Sequence, residues 1–315
     1  MTGTLFLQVA CLLLLIAPGY WLRRTGVLTE TGTTELAKLL MRAIYPCLVY
    51  GAVVGNFTTG RLLALWPLPV AVLGLMWLGF FIGLAAAGRC RFASPAQKQA
   101  FLFQCAFNNY SFLPMPLVAM LYGDTGVALL IVSSLGAEIA IWTLGVAIVH
   151  NRGISWRNLR SLANPVLLML AAALVTIVIR DAVAPHVPTP LATVATAVLG
   201  TLQMAGKATI PISMVIAGSC FATLAAGTLR EPRAWLAAGL RLVAIPVVAL
   251  LLLRLLPLPI AERQVLTFVA VMPVSLASIT FAKVFHGDEA FISSTVLITH
   301  LLALATIPLL LALAL

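Results

Sequence analysis

Polar side chains that could bind an anion lie in an otherwise apolar stretch, FNNYSFLPMPLVAMLYGD, which covers residues 107–124. Amides and hydroxyls donate hydrogen bonds to anions, and a proline interrupts a helix because it has no N–H to donate. A second stretch of this kind, MPVSLASITFAKVFHGD, covers residues 272–288. The residues that we predict to form a substrate site in these two stretches are Asn108, Asn109, Ser111, Pro114, Pro116, Pro273, Ser275 and Ser278.

Ionisable residues inside apolar segments are costly and often functional, so each needs an interpretation. For Glu138 and His300 we predict a role in ion coupling or gating; the alternative is a hydrogen-bonded core residue in each case. For Arg42 and Lys207 we predict attraction of an anion; the alternative is that each side chain reaches a lipid headgroup. Arg241 is expected to be held by a carbonyl or a headgroup.

The composition is that of a membrane protein. Hydrophobic residues make up 62% of the 315 residues and charged residues 9%, whereas about 25% is usual in soluble domains. The five cysteines show no paired spacing, and the chain has no HExxH, no GxSxG and no Walker A sequence. We therefore predict no metal site, no cofactor and no enzymatic activity. We interpret the net charge of +10 as Lys and Arg in the loops of a membrane protein, and we predict no nucleic acid as a partner.

Apolar runs of about 20 residues, separated by short basic loops, predict an all-α polytopic protein with ten transmembrane helices. The predicted spans are about 5–22, 34–56, 62–88, 97–122, 125–149, 163–180, 193–225, 233–256, 263–285 and 290–313. With the N-terminus outside, eleven Lys and Arg residues fall in cytoplasmic loops and four in external ones. This excess predicts that both termini lie outside.

The ten spans divide into two halves that resemble each other. We predict a first five-helix repeat in residues 1–150, a cytoplasmic linker in 151–162 and a second repeat in 163–315. An offset of 164 residues brings 108–124 onto 272–288, and both of these stretches end in Gly-Asp. An offset of 165 brings RAIYP (42–46) onto KATIP (207–211). Because each half has an odd number of spans, the halves must have opposite orientations in the membrane.

The chain resembles the auxin efflux carrier family, which includes bacterial malonate-type permeases and the plant PIN auxin exporters. The stretches that carry the resemblance are RAIYPCLVYGAVVGNF, FNNYSFLPMPLVAMLYGD, NPVLLMLAAAL, GKATIPISMVIAGSCFA and the region from MPVSLASITFAKVFHGD into span 10. Together they cover essentially the whole chain in the family's order and spacing. The family's asparagine in span 4 corresponds to Asn108 or Asn109, whereas span 9 has Met272 and Pro273 where an asparagine is expected.

The resemblance implies a fold like that of sodium–proton antiporters and bile-acid symporters, with an inverted 5+5 repeat and broken helices 4 and 9 that cross. It implies a scaffold of spans 1, 2, 6 and 7 and a mobile domain of spans 3–5 and 8–10 that moves like an elevator. It also implies transport of small organic anions, usually mono- or dicarboxylates.

A secondary active transporter in the bilayer of a bacterial inner (plasma) membrane is therefore the leading interpretation. The alternatives are an anion channel or uncoupled facilitator and, less favoured, an intramembrane enzyme. A channel needs a continuous polar stripe, and these spans are strongly apolar. Coupling to protons, transport driven by membrane potential alone and assembly as a homodimer are left open by the sequence.

Overall fold

The computed structural model describes residues 16–150, 165–183, 188–223, 230–276, 278–279 and 287–314. Regular structure in these ranges consists mainly of ten helices. Nine of them lie within or close to one predicted span each, and α5 extends over parts of two. The predicted linker at 151–162, the start of the first span and part of the ninth lie outside the described residues. The helices are α1 (Ile16–Arg24), α2 (Glu30–Asn56), α3 (Thr59–Ala87), α4 (Pro95–Ala106), α5 (Pro114–Val149), α6 (Pro165–Val183), α7 (Thr189–Ala222), α8 (Pro232–Leu255), α9 (Ile260–Val271) and α10 (Glu289–Ala314).

Seven of these helices are long and apolar enough to cross a membrane, namely α2, α3, α5, α6, α7, α8 and α10. Many of their large apolar side chains point outward, as is normal where the surrounding solvent is lipid. The prediction of an all-α polytopic membrane protein is thus confirmed in its coarse form. The described parts of α1, α4 and α9 are shorter than a full crossing, with 9, 12 and 12 residues.

Helix α5 joins the second half of predicted span 4 to span 5. The chain turns at Gly123, whose φ of 61° and ψ of −157° are not helical. A positive φ is strained for residues with a Cβ, so glycine is favoured at this corner. The turn falls at the boundary that the sequence predicts between spans 4 and 5.

Three helices contain one wide, π-helical turn each, at Leu40–Ile44, Ile141–Gly145 and Leu240–Ala244. Two of these turns are followed closely by a proline, Pro46 or Pro246, which cannot donate to the carbonyl one turn back. The N–H of the residue before each proline bonds five residues back, to Leu40 or to Leu240. The wide turn thus places the proline without a break in the helix.

The helices pack in two groups. Helices α1, α2, α6 and α7 lie mainly against one another, with α1 against α7 and α2 against both α6 and α7. Helices α3, α4, α5, α8, α9 and α10 form the other group, and α2 also packs against α5. Side-chain hydrogen bonds strengthen the first group: Thr33 to Ser219 at 2.6 Å, and Tyr50 to Thr176 at 3.0 Å.

Helices α3 and α5 approach closely at Gly136, and this contact gives a stability prediction. A Cβ at Gly136 would overlap the carbonyl oxygen of Pro69 and crowd the backbone of Leu73. Backbone atoms cannot rotate away, so Gly136→Ala should separate the two helices and cost about 1–3 kcal/mol or more through overpacking. We expect a clear fall in the melting temperature, Tm, of the purified protein.

Gly74→Ala is the matched control, because Gly74 lies on α3 and has no atom within 4 Å of an added Cβ. Alanine also favours a helix over glycine, so this variant should melt at or slightly above the wild-type Tm. Equal Tm values for the two variants would contradict the close contact at Gly136.

Candidate functional site

Two interrupted helices meet at the predicted site. Helix α4 ends at Ala106 and α9 ends at Val271, and each is followed by extended backbone. The extended segments pair antiparallel, with Asn108 opposite Val274. The N–H of Asn109 donates to the Pro273 carbonyl at 2.8 Å, and the N–H of Ser275 donates to the Phe107 carbonyl at 3.3 Å. We call this pair of segments, residues 107–113 and 272–276, the crossover.

Asn108 supplies the hydrogen-bond donor that is missing where α9 is interrupted. Pro273 has no N–H to give to the Val269 carbonyl, as its position in the sequence predicts. The side-chain Nδ2 of Asn108 donates to that carbonyl instead, and the N–H of Met272 reaches it at 3.4 Å. Asn108 is fully buried, and its Oδ1 has no partner among the described residues. Its observed contact is therefore structural, between the two broken helices.

Asn109 faces the start of α5. Its Oδ1 accepts from the N–H of Leu113 at 3.3 Å, and the Ser111 carbonyl accepts from the N–H of Met115 at 3.1 Å. The first bond is made to the residue just before the helix that begins at Pro114, and the second to the first turn of that helix. The side-chain Nδ2 is the donor of Asn109 that these bonds do not use.

The prolines of span 4 begin a helix, whereas the sequence interpretation has them interrupt one. Helix α4 has already ended at Ala106, and Pro114 and Pro116 lie in the first turn of α5. A first-turn N–H has no partner within the helix, so a proline there loses nothing. With Leu113 and Met115 bonded as described, this turn offers an anion its dipole but few free N–H groups.

The three serines predicted for the site, Ser111, Ser275 and Ser278, are buried. Ser111 Oγ lies 2.8 Å from the hydroxyl of Tyr45, which belongs to α2, so this hydrogen bond joins the two groups of helices. Ser275 is held by its backbone N–H, and its carbonyl accepts from Ser278 Oγ at 2.6 Å. Ser278 is thus used in the turn that follows the crossover, and its hydroxyl is already engaged.

Glu138 is connected to the crossover through a tyrosine. The hydroxyl of Tyr110 donates to Glu138 Oε1 at 2.9 Å, and Tyr110 directly follows Asn109 in the chain. Glu138 is among the site residues predicted from the sequence, whereas Tyr110 and Tyr45 are not. The signal was available, since Tyr45 and Tyr110 lie in RAIYP and FNNYS, two of the stretches that carry the resemblance.

His300 lies elsewhere in the core. Its Nδ1 is 2.8 Å from the Val296 carbonyl of its own helix, and its ring contacts Phe221 of α7 edge to face, with centroids 5.1 Å apart. The Nε2 atom is buried and has no hydrogen-bond partner among the described residues. These contacts are those of a packed core histidine between α10 and α7.

Arg42 and Lys207 are both exposed, and neither is buried at the crossover. Arg42 lies in the wide turn of α2, and Lys207 lies where α7 bends before Thr209. Arg241 is different, because it is fully buried and its guanidinium contacts backbone carbonyls. Of the two expected partners of Arg241, a carbonyl or a lipid headgroup, the structure shows carbonyls.

An apolar cavity of about 660 Å³ opens between α3, α8 and α9. Its lining includes Trp66, Leu75, Leu253 and Leu266, but none of the crossover asparagines or serines. The indole N–H of Trp66 is the hydrogen-bonding side-chain group in this lining, and the other lining residues are apolar, glycine or proline, so we place the candidate site at the crossover. Among the described residues, no group of three or more His, Cys, Asp and Glu side chains is arranged to hold a metal ion.

Comparison with known proteins identifies the family. The family described as "Membrane transport protein" matches residues 4–161 and 154–311, which together span nearly the whole chain. A protein of Methanocaldococcus jannaschii, described as an uncharacterized transporter, is 24% identical over 308 residues, which are 96% of this chain and 96% of that protein. The chain is therefore an integral membrane protein that belongs to the membrane transport protein family, the auxin efflux carrier family.

Proposed function

We propose that this transporter is a secondary carrier of small organic anions and that it binds a substrate carboxylate at the crossover. One observation carries the proposal: two interrupted helices are hydrogen-bonded to each other at their breaks, inside the core. Irregular backbone at membrane depth persists where it is buried in protein or lines a cavity, and paired broken helices mark binding sites in transporters.

Side chains, more than backbone N–H groups, would recognise the carboxylate. Asn109 Nδ2 is a donor that the bond to Leu113 leaves unused, and the hydroxyls of Ser111 and Ser275 lie on the two segments of the crossover. The positive end of the dipole of α5 adds to the attraction. Arg42 and Lys207, on the exposed surface, would raise the local concentration of anions, which steering by surface charge achieves.

The proposed mechanism is elevator-like, with ten membrane crossings in an inverted 5+5 repeat. The equal lengths of α4 and α9 support the repeat, since an offset of 165 residues separates both their first and their last residues. The grouping of α1, α2, α6 and α7 supports a scaffold, and the other six helices a mobile domain. In this mechanism the hydrogen bond from Tyr45 to Ser111 joins scaffold to mobile domain in one state and breaks as the latter moves.

We further propose a bacterial inner (plasma) membrane location with both termini outside, from the eleven-to-four bias of basic residues. Residues 1–150 and 163–315 would form the two repeats, with 151–162 as the cytoplasmic linker. Assembly as a homodimer is part of the proposal and is tested by the mass of the purified protein in detergent.

The proposal is tested first by ligand binding. The purified protein is heated with a panel of mono- and dicarboxylates, because a ligand that binds only the folded state raises Tm. A concentration of 100 Kd should contribute about 2.7 kcal/mol of stability, enough to move Tm by several degrees. Stabilisation by neutral or cationic solutes, with no carboxylate effective, would contradict the substrate class.

Counterflow in proteoliposomes then separates a carrier from a channel. An unlabelled carboxylate trapped inside should accelerate uptake of the same carboxylate carrying a label, because a carrier that returns loaded reorients faster than an empty one. A channel shows no such stimulation, and an enzyme would change the solute chemically. Absence of trans-stimulation with rapid flux would therefore favour the channel alternative.

Replacing Glu138 by glutamine tests proton coupling. The amide still offers an oxygen to the Tyr110 hydroxyl, so the fold should persist, but the side chain can no longer take up a proton. If Glu138 carries the coupled proton, as we propose, Glu138→Gln should flatten the pH dependence of transport and prevent substrate accumulation driven by a pH gradient. Initial rates are measured in proteoliposomes across a range of pH.

Tyr110→Phe is the control for this prediction, since it removes the hydrogen bond that Glu138→Gln keeps, while the carboxyl group remains. It should lower the rate while the pH dependence persists. Transport by Glu138→Gln with unchanged rate and unchanged pH dependence would exclude Glu138 from coupling.

A further inference from the structure

Arg241 is a fully buried cation with no acidic partner among the described residues. It lies in the wide turn Leu240–Ala244 of α8 and has none of its surface exposed. The ion pairs of the described residues involve other arginines and lysines. A buried charge is costly unless it is paired or hydrogen-bonded, so the groups that hold Arg241 must supply the compensation.

Those groups are the ends of the two interrupted helices. Arg241 Nη2 donates to the Ala270 carbonyl at 2.9 Å, and Nη1 lies 3.5 Å from the Cys105 carbonyl, at the outer limit of a hydrogen bond. Cys105 is the last residue but one of α4, and Ala270 is the last but one of α9. One guanidinium therefore contacts the same position in both helices.

The charges match. The carbonyls in the last turn of a helix carry about half a negative charge, so two such ends together present about one. A single guanidinium supplies one positive charge, and its planar fork has donors that can reach two acceptors at once. A lysine ammonium would match the charge but lacks the fork.

Helix α3 holds one of these carbonyls from the other side. A Cβ at Gly79 would overlap the Cys105 carbonyl oxygen, so only glycine lets α3 approach there. Gly83, one turn later, lies against the Cys105 side chain. The carbonyl that Arg241 contacts is thereby fixed in position between α3 and α8.

We propose that Arg241 is a positioning residue that acts as the built-in cation of the crossover. Its guanidinium neutralises the converging ends of α4 and α9 and ties both to α8, so the broken helices move as one unit. The site thus needs no bound metal cation to compensate these two helix ends. The proposal depends on the crossover geometry and on no particular transported solute, so it can fail or succeed independently of the carboxylate assignment.

Two substitutions at Arg241 distinguish the contribution of its positive charge from that of its planar shape. Arg241→Lys keeps the positive charge and should lose only a few degrees of Tm, whereas the neutral Arg241→Gln should lose about 10 °C or fail to fold. The control is Arg254→Gln, on the same helix, where an exposed guanidinium donates to Leu313 at 3.3 Å; its Tm should stay near the wild-type value. Equal damage from Arg241→Lys and Arg241→Gln, or none from either, would overturn the proposal.

Chemical rescue tests the cation site directly. In Arg241→Ala, about 10 mM guanidinium chloride, far below denaturing concentrations, should raise Tm, because the free ion can occupy the vacated site. The same salt should leave the wild type and Arg254→Ala unchanged, and urea should rescue none of them. If guanidinium lowers or leaves unchanged the Tm of Arg241→Ala, the helix ends form no cation site and the proposal is wrong. If Arg241→Ala cannot be purified, the comparison of Arg241→Lys with Arg241→Gln decides.

Discussion

Asn108→Asp should lower Tm by about 10 °C and abolish transport, although the two side chains have nearly the same shape. The amide Nδ2 of Asn108 donates to the Val269 carbonyl, which Pro273 cannot serve. An aspartate oxygen in that place would face the carbonyl oxygen and repel it, in a site with no exposed surface. The loss combines an unsatisfied buried carbonyl with a buried and unpaired carboxylate, together about 3 kcal/mol or more.

Asn56→Asp is the matched control. Asn56 also donates through Nδ2 to a carbonyl, that of Ala52 at 2.9 Å, but this bond lies within α2 and is only partly buried. Its Oδ1, which accepts from Thr125, survives the change. Water can compensate at such a position, so Asn56→Asp should cost much less than Asn108→Asp. Similar Tm values for the two variants would mean that Asn108 does not hold the crossover together.

The positions of the helices could be predicted closely from the sequence, because membrane crossing imposes long apolar runs that are read residue by residue. Helix α3, predicted at 62–88, occurs at Thr59–Ala87, and α10, predicted at 290–313, occurs at Glu289–Ala314. The two broken segments could also be matched to each other from the sequence, since each contains proline among polar residues. That all ten helices cross the membrane stays a prediction.

The details of the breaks could not be predicted, because they depend on contacts between distant segments. Proline positions suggest that span 4 is interrupted at Pro114, but the helix ends at Ala106 and the prolines begin the next one. Pro46 and Pro246 are visible in the sequence, but the wide turns that precede them, and the wide turn of α5 that no proline follows, were not predicted. Nothing local in LRLVA indicates that Arg241 reaches Cys105 and Ala270, which are 136 and 29 residues away.

The different roles of Asn108 and Asn109 likewise follow only from the fold. Adjacent residues on extended backbone point in opposite directions. One asparagine therefore reaches across to α9, where a carbonyl needs a donor, and the other turns toward α5, where an N–H needs an acceptor. The same side chain thus serves as a donor at one position and as an acceptor at the next. By sequence, the family's asparagine in span 4 is compatible with either residue. We propose Asn109 as the one that meets substrate, because its Nδ2 is not used in the bond to Leu113.

Asn109→Asp should leave the fold intact and abolish anion binding, the reverse of what a purely structural residue would do. An aspartate oxygen accepts the Leu113 N–H as well as the amide oxygen does, and a negative charge suits the start of a helix. We expect Tm without ligand to stay within a few degrees of the wild-type value, because a buried carboxylate here, unlike one at Asn108, keeps an N–H partner and the dipole of α5. The carboxylate that stabilises the wild type should produce no Tm shift, and its transport should fall at least about 100-fold, because like charges juxtaposed in a site of low dielectric cost several kcal/mol.

Asn109→Ser separates charge from the loss of the donor. Serine can still cap the helix and introduces no charge, so its effect on the carboxylate's apparent KM should be weaker than that of Asn109→Asp. A ligand-induced Tm shift retained by Asn109→Asp would show that Asn109 does not face the substrate. A loss of Tm as large as that of Asn108→Asp would show instead that both asparagines hold the fold. The order expected in binding is wild type, then Asn109→Ser, then Asn109→Asp, while Tm without ligand stays nearly constant across the three, because only the contact with the anion differs among them.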